Sequence, residues 1–107
     1  MKARSLGNSV RQIVEQIVEL AHPLRIVLFG SAARGKTGPD SDLDFLVVVS
    51  GRQRAEDVTD RLNTGIRQRP MPCDFVVVTE SALKKHGNTP GLVYAEILKR
   101  GRVVYAG

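Results

Sequence analysis

Cysteine, aromatic residues and long apolar runs are all scarce in this sequence, and each shortage removes a class of answer. Cys73 is the only cysteine, so no intramolecular disulfide can form, and the chain fits a reducing compartment. Tryptophan is absent and aromatic residues make up 5%, too few for an evident base-stacking platform. No segment approaches the roughly 20 apolar residues of a membrane helix. Nor does a signal-peptide apolar stretch follow Lys2 and Arg4, because Val10 to Ala21 is interrupted by Arg11, Gln12, Glu15, Gln16 and Glu19. The expected location is therefore the cytoplasm, with no membrane partner. Repeats, linkers and low-complexity tracts are missing too, and His22 and His86 show no metal-ligand spacing.

What is present suits one compact domain spanning residues 1–107. The net charge of +5 would suit a polyanion, yet Arg11, Arg25, Lys36, Arg52, Arg67, Lys84 and Lys99 are spread along the chain. A basic solvated surface is the simpler account, and a nucleic-acid partner is not favoured.

Hydrophobic spacing sets out the elements. Val10, Ile13, Val14, Ile17, Val18 and Ala21 recur at helical intervals. Ser9 and Gln12 resemble a capping box at the start of that helix, and His22-Pro23 ends it. Arg25 to Phe29 reads as a first, central strand and Leu43 to Val49 as a second, with a turn-rich stretch from Ala32 to Ser41 between them. A second helix is expected from Arg54 to Arg69, its early acids and late Arg67 and Arg69 matching the helix dipole although Gly65 weakens it. Cys73 to Thr79 should form a third strand, Glu80 to His86 one or two helical turns, and Thr89-Pro90 the start of a last helix that Gly101 stops. Arg102 to Tyr105 adds an edge strand. The order αββαβα(β) predicts an α/β (α+β) protein, a small mixed sheet of three to four strands with helices packed against it.

Chemistry concentrates in two segments, Leu28-Phe29-Gly30-Ser31-Ala32-Ala33-Arg34-Gly35 and Ser41-Asp42-Leu43-Asp44-Phe45-Leu46-Val47. Strand side chains alternate, so Asp42 and Asp44 point the same way with Cα atoms about 6.5 to 7 Å apart, close enough to converge on hard cations. Carboxylates so placed repel one another unless a cation or solvent offsets the repulsion. Asp74 opens another valine-rich strand and would join them if the second and third strands are neighbours; three carboxylates suit magnesium. Gly30 lets a phosphate approach the backbone, Ser31 offers an N–H and a hydroxyl, Arg34 can add charge, and Gly35 can stop a turn. Asp40 fits a turn better than a metal. Cys73, adjacent to Asp74, should face the other side of its strand. Tyr94, Tyr105, Leu92, Val93, Ile97 and Leu98 read as packing residues.

The pattern Gly30-Ser31, ten residues, then Asp42-x-Asp44, set in GSAARG and SDLDFLVV, resembles the minimal nucleotidyltransferases of the DNA polymerase beta superfamily over about the whole chain. That resemblance implies the nucleotidyltransferase fold and transfer of a nucleoside monophosphate from an NTP, ATP above all, to an acceptor hydroxyl. It implies two magnesium ions held by Asp42, Asp44 and Asp74, with Gly30, Ser31 and Arg34 at the phosphates and Asp74 helping to deprotonate the acceptor. It further implies a separate macromolecular acceptor, since no acceptor-binding domain is seen: a small helical HEPN-domain protein, with this chain as the antitoxin that adenylylates it. Alternatives are a non-catalytic module that neutralises such a partner by binding it, and transfer to a small molecule at an oligomer interface, which a homo-oligomer would supply.

Overall fold

The computed structural model describes residues 2–30, 42–67, 72–86 and 93–107, the side chains of 2–6, 86, 93 and 95 aside. In chain order the elements are α1 (Lys2–Ala21), β1 (Arg25–Phe29), β2 (Leu43–Val49), α2 (Ala55–Gly65), β3 (Cys73–Thr79), α3 (Glu80–His86), α4 (Val93–Arg100) and β4 (Arg102–Ala106). The strands make one mixed sheet in the order β3-β2-β1-β4. β1 is antiparallel to β2 and to β4, whereas β2 and β3 run parallel, with α2 in the crossover that parallel neighbours require.

The unbroken apolar run of β2 follows from its position inside the sheet, where helices cover both faces. Its odd-numbered residues Leu43, Phe45, Val47 and Val49 join Ile26 and Leu28 of β1 against Ile13, Ile17 and Ala21 of α1 and Val58 and Leu62 of α2. Its even-numbered Leu46 and Val48 join Val27 and Val78 against Leu83 of α3 and Ile97 of α4. Two hydrophobic layers thus sandwich the sheet, and strand alternation decides which layer each residue enters.

All four strands lie where the apolar runs placed them, β4 reaching one residue further, to Ala106. The helices differ more. α1 begins at Lys2, so Ser9 and Gln12 lie inside it rather than forming a capping box. The apolar stripe begins only at Val10, whereas Lys2, Ala3, Arg4 and Leu6 upstream are residues of high intrinsic helix propensity. Its C-terminus follows expectation: His22 turns into the left-handed region at φ 45° ahead of Pro23, while its N–H still donates to the Val18 carbonyl at 3.0 Å. Gln53 donates to the Ala21 carbonyl at 2.8 Å and Arg61 to that of Leu20 at 3.1 Å, so α2 and its approach satisfy carbonyls that the end of α1 leaves open.

α2 stops at Gly65 rather than Arg69. Ile66 is extended (φ −80°, ψ 110°) and only 5% exposed, so burying this side chain after a poor helix former outweighs continuing the helix. Arg67 therefore lies beyond the last turn, which carries no basic residue, and the dipole match survives only at the acidic start, Glu56 and Asp57. The proposed Thr89-Pro90 start of the last helix falls outside the described residues. Gly101 does follow that helix, its N–H donating to the Ile97 carbonyl at 2.7 Å. Tyr94 and Tyr105 pack at the margins of the two layers, partly buried. Among the described residues no helix is long and apolar enough to cross a membrane.

Candidate functional site

Parallel pairing of β2 with β3 puts the aspartates together. The register aligns Asp44 with Asp74, and the next residues, Phe45 and Phe75, with each other. Phe45 is fully buried under α1 and α2, and its ring stacks on Phe75 with centroids 6.0 Å apart and planes 20° apart. With both phenylalanines turned toward that layer, alternation sends Asp44 and Asp74 to the opposite face, the one that holds Val76 and Val78. Asp42 directly precedes β2, and its charge is felt at Asp44. Cys73 is half-buried and packs into the α1–α2 layer, away from Asp74, as the alternation argument required.

The antiparallel side of β2 completes the surroundings. Phe29, last residue of β1, is the register partner of Asp44, so Asp44 lies between a partly buried aromatic residue and a second carboxylate. Asp42 and Asp74 are exposed, and Asp44 is half-buried. The carboxyl of Asp44 is held above its ordinary value of 3.8, first by burial, then by the negative charge of Asp74, then by that of Asp42. Among the described residues none of the three aspartates takes part in an ion pair. An uncompensated cluster of hard oxygen donors fits a divalent cation in its chemistry. It is not a closed cage, because no group of three or more such ligands among the described residues is gathered tightly enough to hold an ion.

Gly30 follows β1 with φ +79°. A Cβ at this position would run into Asp44 Oδ2, nearer than real Cβ atoms come, with Asp44 Cγ at 3.4 Å. The sequence assigned this glycine to the approach of a phosphate; the structure adds a second demand, from a side chain 14 positions later. No local signal carries it, since it depends on β1 and β2 pairing at Phe29 and Asp44. Ser31, Arg34, Gly35 and Asp40 lie outside the described residues.

Comparison with known proteins shows the family. Residues 9–104 match the family model described as a nucleotidyltransferase domain, and no curated protein matches. Among solved structures, a protein from Sulfolobus solfataricus named as a candidate nucleotidyltransferase is similar at 24% identity with a TM-score of 0.63, covering 97% of this chain and 82% of that one. A spectinomycin adenyltransferase from Enterococcus faecialis, crystallised with ATP and spectinomycin, gives 22% identity and a TM-score of 0.47, covering 75% of this chain and 35% of the other. With a mixed sheet flanked by helices, carboxylates at the entrances of β2 and β3, and a family match over nearly its whole length, the chain belongs to the nucleotidyltransferase domain family.

Proposed function

We propose that this chain is a magnesium-dependent nucleotidyltransferase that moves AMP from ATP to a hydroxyl on a partner protein. The observation that supports it most is the register alignment of Asp44 with Asp74, beside Asp42, with no cation among the described residues to offset them. Asp42, Asp44 and Asp74 would hold the metal, which when bound supplies charge neutralisation at the phosphates. Asp74, exposed at the start of an edge strand, is reachable by a macromolecular acceptor and would take the proton of its hydroxyl. Gly30, Ser31 and Arg34 would meet the triphosphate through backbone N–H groups and charge. Attack of the acceptor oxygen on the α-phosphorus forms the new P–O bond as the bond to pyrophosphate breaks. Positioning and charge complementarity would supply most of the acceleration. On the resemblance drawn from the sequence, the partner is a small helical HEPN-domain protein and the modification neutralises it.

The test incubates the protein with ATP, magnesium and a HEPN-domain protein encoded beside it, and follows intact mass. One added AMP on the partner, lost with Asp44→Asn and with Asp74→Asn, is expected. An adduct that persists undiminished in both variants would refute the assigned roles. Neutralisation by complex formation without any adduct would favour a binding module.

A further inference from the structure

We infer that Gly30 is a positioning residue for Asp44: the space left by its missing side chain is the socket in which the Asp44 carboxylate sits. This goes beyond a phosphate-facing role and rests on the proposed function only for its consequence in binding a cation. Two observations carry it. The nearest heavy atoms to a Cβ built on Gly30 all belong to Asp44, the carboxylate oxygen closest, then Cγ at 3.4 Å and Cβ at 3.7 Å. Asp44 is also bounded by its register partners, Phe29 on one side and Asp74 on the other, so a carboxylate displaced from Gly30 has an aromatic residue and a like charge as its neighbours.

The atom that would be struck is the end of a side chain rather than backbone. Adding a methyl at Gly30 should therefore leave the sheet standing and rotate Asp44 to another staggered rotamer. The left-handed φ of +79° is a separate demand, and the two can be told apart. Asparagine tolerates that backbone region far better than alanine, yet it brings the same Cβ. If backbone conformation were the sole reason for glycine, Gly30→Asn would behave nearly as the parent does. If the socket matters, Gly30→Ala and Gly30→Asn should displace the carboxylate alike.

The first measurement is the metal-free crystal structure of both variants, with Asp44 χ1 read directly. A changed rotamer in each is expected; the parent rotamer retained in either would overturn the inference, whatever the protein catalyses. The second is Mn2+ titration by electron paramagnetic resonance, without nucleotide. Loss of about 10- to 100-fold in affinity is expected for both Gly30 variants, with no further loss when Gly30→Ala is combined with Asp44→Ala. Losses that add would mean that Gly30 acts on the cation by some route other than Asp44, against the inference. Should the parent fail to bind Mn2+, the cation reading falls while the crystal structures still decide the socket.

Discussion

Phe45→Ala should be among the most damaging single substitutions in this protein, and its size can be worked out before it is made. Phe45 is 0% exposed, so truncation loses the transfer free energy of the ring and leaves a cavity between sheet and helices, about 3 to 5 kcal/mol together. Phe75 is only partly buried, and Phe75→Ala should cost less, about 1 to 2 kcal/mol. The rings stack at 6.0 Å and 20°, an arrangement worth about 0.5 to 1.5 kcal/mol beyond burial. The double variant should therefore lose less than the sum of the singles by that amount. Urea unfolding followed by circular dichroism measures all four corners of the cycle, at constant m if the denatured state is unchanged. Domains of this kind hold about 5 to 15 kcal/mol in all; if Phe45→Ala does not fold, Phe45→Leu, at about 1 to 2 kcal/mol, takes its place in the cycle. A loss under about 1.5 kcal/mol for Phe45→Ala, or coupling indistinguishable from zero, would refute the claim that this ring pair clamps β2 to β3 beneath the aspartates.

Two further outcomes follow from the site and its support. Asp44→Asn should raise stability at neutral pH: the folded-state carboxyl is held above 3.8, so the native protein binds the proton more tightly than the unfolded chain and loses stability as pH rises through that interval. The advantage of the asparagine variant should shrink as pH falls toward 3.8 in thermal melts, and an advantage that grew on acidification would contradict the assigned direction. Gln53→Ala should cost about 0.5 to 1.5 kcal/mol, because it removes the 2.8 Å bond that satisfies the Ala21 carbonyl; guanidinium unfolding showing no loss would mean that water replaces it fully.

The strands were legible because each is a short apolar run with turn formers on at least one side, a signal that needs no knowledge of the partner strand. Helix ends were less so. The start of α1 carries no apolar periodicity to mark it, and the end of α2 is decided by where Ile66 buries its side chain after Gly65, two demands of which only the glycine is visible locally. Alternation carried into the residue before β2 was the ground for pairing Asp42 with Asp44, and the charge of Asp42 does act on Asp44. The alignment of Asp74 with Asp44 was conditional in the sequence, because register across a crossover depends on how α2 packs, and no residue near Asp74 reports it. The demand of the Asp44 carboxylate on Gly30 was invisible for the same reason: it exists only once β1 and β2 have paired.

Because β2 runs parallel to β3, both strands begin at the same end of the sheet, and each aspartate stands one residue from a strand's first residue, Asp42 before it and Asp44 and Asp74 after it. In the sequence, residues 31–41 precede the first of these strands and residues 68–71 the second. The carboxylates are thus anchored by the hydrophobic strands that carry or directly follow them. Changes elsewhere in the chain that leave these two strands intact should therefore leave the acidic centre in place.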